Sequence, residues 1–151
     1  MKAKVLKSVK YVTLFLLLLL LGHSCSDDDP VTYYEETQWN IESFTVEASE
    51  WNWNFDLARW EAVKQLKYID EFIYESGAVI GYLFILENGR EVQYQLPHTV
   101  NIVVGDERFT ETLDYNFDFK TNRVTFLIKP SDSIDDLEAR QTYDFRIAMI
   151  W

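Results

Sequence analysis

The sequence predicts an all-β domain, an antiparallel β-sandwich of immunoglobulin-like or related open-barrel type, with one or two short helical turns. Three observations carry this prediction. Apolar and polar residues alternate with period two over residues 109–119 and again over 143–151, which on a strand sends one set to the core and the other to water. Asn88-Gly89 stands between two apolar segments, and because both residues tolerate positive φ it is the strongest short hairpin signal. The remaining segments give a total of about eight short strands with turns at fairly regular spacing and no βαβ alternation.

The 151 residues do not all belong to that domain. Residues 1–24 contain no acidic residue, carry Lys2, Lys4, Lys7 and Lys10 at the head, and continue into an apolar run over 11–21 that ends at Gly22-His23-Ser24. Such a run is short of the roughly 20 residues that span a bilayer core, so it reads as a secretory signal peptide rather than a transmembrane helix. Cys25 follows at once and is the only cysteine of the chain, which excludes an internal disulfide. The reading adopted is that Cys25 becomes the first residue and is acylated, each buried CH2 contributing about 0.8 kcal/mol of membrane attachment. The plainer alternative is a cysteine left over in a cleaved leader.

The run Cys25-Ser26-Asp27-Asp28-Asp29 resembles the start of surface-exposed lipoproteins of Bacteroidota. That resemblance implies that Cys25 is the lipid site and that Ser26, Asp27, Asp28 and Asp29 form the export signal. It also implies an outer-membrane protein, lipid-anchored and facing the extracellular side. Gly22 stands where the family pattern has Leu, with Leu21 one residue earlier. The Gln38-Trp39 opening, the turn at 75–79 and the Tyr143-Asp144-Phe145-Arg146 strand are similar to small uncharacterised lipoproteins of the same bacteria, and imply no activity. The organisation expected is a signal peptide over 1–24, a lipidated acidic tether over 25–37 and the β-sandwich over 38–151.

Within the sandwich, Trp39 and Ile41 share a parity that Phe44, Val46 and Ala48 do not, so the first strand is expected to carry a bulge near Ser43. Trp51, Trp53 and Phe55 alternate with Asn52 and Asn54 as a short strand. Residues 57–67 fit period two through Ala58, Trp60, Ala62, Leu66 and Tyr68, and a helix through Ala62, Lys64, Gln65 and Lys67; strand is preferred. Residues 69–75 read as one helical turn with Asp70 as cap and Gly77 as terminator, and 133–138 as a second. Asn88-Gly89 joins strands 78–86 and 91–96, and Thr121-Asn122 joins 109–119 to 124–128. Pro97 has no N–H for a ladder, so its strand ends there and resumes over 99–104 before a Gly105-Asp106 turn. Tyr143, Phe145, Ile147, Met149 and Trp151 form the inward face of the last strand.

Charge and chemistry exclude more than they specify. From Cys25 onward the chain holds ten cations against 25 carboxylates, a balance of −15, because four of the 14 Lys and Arg lie in the leader. A nucleic-acid partner would need the opposite sign. So many carboxylates produce close pairs by chance, so no glycosidase-like pair is assigned. His98 is the one imidazole beyond the leader and reads as a loop residue; no phosphate loop, cofactor motif or metal site is assigned, and no catalytic residue. The acidic stretch 131–138 lacks the spacing and glycine of a calcium loop, and reads instead as a capped turn.

Aromatic residues are the one feature with functional promise. Five Trp, eight Tyr and nine Phe beyond the leader are more ring surface than one small core comfortably takes, so some rings should face water. Trp51, Trp53 and Trp60 are the candidate ligand-binding residues, since amphipathic rings beside Asn52 and Asn54 suit sugar faces or a protein partner. The competing reading places them in the core, because period-two aromatics are how sheets build interiors. The functional expectation is a non-catalytic binding or structural component of the cell envelope, attached to the membrane through its lipid. The alternative is a glycan-binding module, with an extracellular hydrolase third. Exposed coplanar Trp rings would favour the glycan module, and a flat apolar patch or strand edge the envelope component.

Overall fold

A computed structural model describes residues 37–104 and 106–151. The leader, Cys25, the export signal Ser26 to Asp29 and Gly105 lie outside the described residues. In chain order the strands are β1 (Trp39–Val46), β2 (Asn52–Asn54), β3 (Arg59–Gln65), β4 (Ala78–Glu87) and β5 (Arg90–Gln95). They continue with β6 (His98–Val104), β7 (Glu107–Asp118), β8 (Arg123–Pro130) and β9 (Tyr143–Ile150). One helix, α1 (Glu71–Ser76), joins β3 to β4.

Two antiparallel sheets result, of order β1-β9-β4-β5 and β2-β3-β8-β7-β6. The fold is therefore the expected all-β sandwich, and two separate sheets make it a sandwich rather than an open barrel. The chain changes sheet between β1 and β2, β3 and β4, β5 and β6, and β8 and β9, while β2-β3, β4-β5 and β6-β7-β8 stay within one sheet as hairpins. Local chemistry sets these corners. Asn88 and Gly89 take φ of 51° and 77°, and Asn122 takes 52°, the positive values their hairpins require. Pro97 falls between β5 and β6, where the missing N–H ends pairing in one sheet and lets the chain enter the other.

Helix α1 forms as its caps predict. Asp70 Oδ1 accepts from the Ile73 N–H at 2.8 Å, and the Gly77 N–H donates to the Ile73 carbonyl at 3.0 Å. Gly77 is needed for space rather than for φ, since a Cβ there would lie 2.7 Å from the Ile150 carbonyl oxygen. Gly81 on β4 answers a similar demand from the opposite sheet. A Cβ at Gly81 would stand 2.6 Å from the ring of Tyr115, whose hydroxyl donates to the Val79 carbonyl at 2.7 Å.

The core fills from alternate positions of the central strands. Val124, Phe126 and Ile128 of β8 face Phe145, Ile147 and Met149 of β9, all buried, and the rings of Phe126 and Phe145 lie stacked at 4.1 Å and 12°. The inward face expected for the last strand and for Val124, Phe126 and Ile128 is thus present, with Tyr143 and Trp151 partly buried at its ends.

Several local expectations are corrected. β1 pairs with β9 without interruption from Trp39↔Ile150 to Val46↔Tyr143, so there is no bulge near Ser43. The parity break arises because Trp39 and Ile41 point outward while Phe44 and Val46 point in. Residues 59–65 are strand, as preferred, but Ala58 sits in the β2-β3 turn with φ 45° and Tyr68 is exposed. Phe55 leaves β2 for the same turn and is exposed, as Asn54 Oδ1 accepts from the Asp56 and Leu57 N–H groups and curls the chain. The second helical turn falls at Leu137–Ala139 rather than from Ser133, because Asp136 supplies the cap, accepting from the Glu138 N–H at 2.9 Å, and Ser133 takes φ 61°. His98 opens β6 rather than lying in a loop, its ring stacked on Tyr94 at 4.1 Å.

Phe145 is 1 % exposed and touches both Phe126 and Trp51, so Phe145→Ala should destabilise the domain by about 3 to 5 kcal/mol. Thr142, exposed and donating its hydroxyl to Glu47 at 3.0 Å, should lose about 1 kcal/mol or less on change to Ala. Denaturant melts of the two variants check this, and equal losses would contradict the assigned register.

Candidate functional site

The Trp cluster expected to bind a ligand is built into the interior. Trp51 is 2 % exposed; its indole N–H donates to the Gln141 carbonyl at 2.9 Å, and its ring meets Tyr143 and Phe145 edge-on. Trp60 is 4 % exposed, with Trp53 against it at 5.1 Å and the Arg140 guanidinium over its face at 5.1 Å. Trp53 is half-buried on the same core. None of the three offers an open, coplanar face, and the correction has a plain cause: β2 and β3 pair Trp53 with Trp60, on the side that faces the opposite sheet. Asn52 and Asn54, on the other side of β2, pair with Glu61 and Arg59 of β3.

Under the 131–142 loop lies Glu111, 5 % exposed and the one buried charged residue among those described. Its pKa is raised, first by burial and then by the carboxylates of Asp136 and Asp132. The Tyr143 hydroxyl is pushed up to about 12, mainly by its own burial and further by Glu111. Asp132 accepts from the Ile134 N–H within a turn, and Asp136 accepts from the Glu138 N–H as the cap of Leu137–Ala139. No group of three or more His, Cys, Asp or Glu among the described residues is arranged to hold a metal ion.

The outer face of the four-stranded sheet is different. Register places Trp39, Ile150 and Ala78 in one row across β1, β9 and β4, and Ile41, Ala148 and Ile80 in the next. Trp39 is 68 % and Ile41 46 % exposed. In a domain whose residues 38–151 hold ten cations and 20 carboxylates, a balance of −10, these two rows contain no charge. β1 is also an edge strand. Gln38 and Trp151 exchange both backbone hydrogen bonds, so by alternation the N–H and C=O groups of Trp39, Ile41, Ser43 and Thr45 point away from β9. The next rows are polar: Ser43, Arg146, Tyr82 and Gln95, then Thr45, Asp144, Phe84 and Gln93.

This surface left two traces in the sequence. One was the parity break at Trp39 and Ile41, which signals outward apolar residues as readily as a bulge. The other was segment 78–86, apolar at both parities, so that Ile80, Tyr82, Phe84 and Leu86 fall on the outer side while Val79, Leu83 and Ile85 fill the core.

Because burial raises the pKa of Glu111, the folded domain holds that proton more tightly than the unfolded chain does. The associated stability is complete below the ordinary value of 4.5 and is lost as pH rises through the folded pKa. Glu111→Gln removes the ionisation, so its stability should gain on that of the wild type as pH rises above about 4.5. Melts across that range check the sign, and a difference independent of pH would contradict it.

No protein-family model matches the chain, and comparison with curated proteins and with solved structures gives no match.

Proposed function

We propose that the chain is a lipid-anchored, non-catalytic binding component of the cell envelope, attached to the outer membrane through Cys25 and facing outward. It takes a protein partner on the β1 side of the four-stranded sheet. The observation that carries this reading is the pair of uncharged apolar rows, with Trp39 and Ile41 exposed, beside an open strand edge. An exposed apolar patch on an otherwise charged surface is the usual mark of a protein contact. Exposed edges are commonly blunted by charge, proline or a bulge, and β1 carries only Glu42, which is turned inward to accept from the Lys67 and Tyr68 N–H groups. A partner strand can add here and lay its own apolar side chains beside Trp39 and Ile41.

The non-catalytic part of the reading is supported by the chemistry of the chain. Its single imidazole beyond the leader, His98, is stacked on Tyr94, and its buried carboxylate, Glu111, sits beneath a loop. Trp51, Trp53 and Trp60 give a glycan module no open ring. Membrane attachment is supported by the leader followed by a sole cysteine, and outward display by Ser26 to Asp29.

Two readouts on intact cells test the proposal. Cys25→Ala should move the protein out of the membrane fraction, and unchanged fractionation would contradict the anchor. A photo-crosslinking residue at position 41 should give one defined protein adduct, while the same residue at Val63, exposed on the opposite sheet, should not. No adduct at 41, or the same adducts at both positions, would contradict the docking face.

A further inference from the structure

Beyond the apolar rows, the outer face of the four-stranded sheet sinks into a groove of about 230 Å3 that involves Ser43, Thr45, Phe84, Glu91, Asp144 and Arg146. We propose that this groove binds a neutral, hydroxyl-rich ring, a pyranose unit of a saccharide. This goes beyond the protein-docking reading and does not depend on it.

Three features of the groove select that chemistry. The first is its store of uncommitted polar groups. Thr45 donates its hydroxyl to Asp144 Oδ1 at 2.6 Å, which leaves Asp144 Oδ2 without a partner among the described residues. Arg146 Nη1 donates to Gln93 Oε1 at 3.3 Å, while its Nε is cut off from solvent and has no acceptor. A donor held that way is unfavourable by itself, and a ligand oxygen that lets the guanidinium tilt would satisfy it. Arg146 and Asp144 are two residues apart on one strand face, so a donor and an acceptor stand side by side, as adjacent hydroxyls require.

The second feature is charge. Arg146 forms no salt bridge among the described residues although Asp144 and Glu91 share the groove with it. An anion would meet two carboxylates on a domain with a balance of −10 over residues 38–151. A cation would meet Arg146, whose guanidinium lies 4.6 Å from the Phe84 ring centroid and already covers the aromatic face a cation would seek. A neutral polar ligand escapes both penalties. The third feature is size, because the volume is below the roughly 300 to 1,000 Å3 typical of sites for drug-sized molecules, which suits one ring of a chain that continues into solvent.

Calorimetric titration of the purified full chain, in a detergent without a sugar headgroup, tests this with maltohexaose, cellohexaose and mannohexaose as neutral probes and hexagalacturonate as the anionic counterpart. At least one neutral hexasaccharide should bind, and hexagalacturonate should bind more weakly. Arg146→Ala should weaken that binding about tenfold or more, as loss of a hydrogen bond from a charged donor does. Asp144→Asn, which keeps an oxygen for the Thr45 hydroxyl, should also weaken it and serves if Arg146→Ala unfolds. Val63→Ala on the opposite sheet should bind as the wild type does. Absence of binding by all three neutral probes, preference for hexagalacturonate, or wild-type affinity in the folded variants would overturn the proposal.

Discussion

The stacked pair of Phe126 and Phe145, parallel to 12° and 4.1 Å apart, is the contact on which the rest of the sandwich is arranged. Phe126 belongs to β8, flanked by β3 and β7, and Phe145 to β9, flanked by β1 and β4, so each ring sits on an inner strand of its sheet. Phe44 of β1 tilts against Phe126, and Trp51 stands edge-on to Phe145, so edge elements of both sheets are referred to the same joint. Once this pair is inside, period two determines every other side chain on β8 and β9. Asp144, Arg146, Ala148 and Ile150 must face out because Phe145, Ile147 and Met149 face in.

That constraint gives the two sheets different exteriors. On the five-stranded sheet, Asp114 pairs with Lys129 at 2.5 Å and Arg59 with Glu61 at 2.7 Å, two ion pairs formed within the sheet. On the four-stranded sheet the outward positions carry Trp39, Ile41, Ile80, Ala148 and Ile150 at one end and, further along, Arg146 beside two acids with no salt bridge among the described residues. An acidic domain that keeps two adjacent rows of one face free of charge concentrates its capacity for apolar contact there. The excess of aromatic residues is resolved in the same way. Trp51 and Trp60 stay inside, and exposure falls on Trp39, Phe55, Phe72 and Tyr74.

The fold was legible because its signals are local. Asn88-Gly89 and Asn122 announce their turns through positive φ, Asp70 and Gly77 bracket α1, and the last strand alternates over its whole length. The proposed docking face was not, because its identity depends on pairing between segments distant in sequence. Trp39 and Ile41 gain meaning only beside Ile150, Ala148, Ala78 and Ile80, neighbours that register alone supplies. Trp51 and Trp60 misled for the complementary reason. A ring beside an asparagine looks the same in sequence whether the opposite sheet covers it or water does, and here Tyr143, Phe145 and Arg140 cover it.

Trp39 lies open on the four-stranded sheet, whereas Trp51 and Trp60 belong to the core. Hydroxyl-radical footprinting of the folded protein, read residue by residue, tests it most directly. Trp39 should oxidise rapidly, with Trp51 and Trp60 protected until the domain is unfolded in denaturant. Oxidation of Trp51 or Trp60 at the rate of Trp39 under native conditions would contradict it.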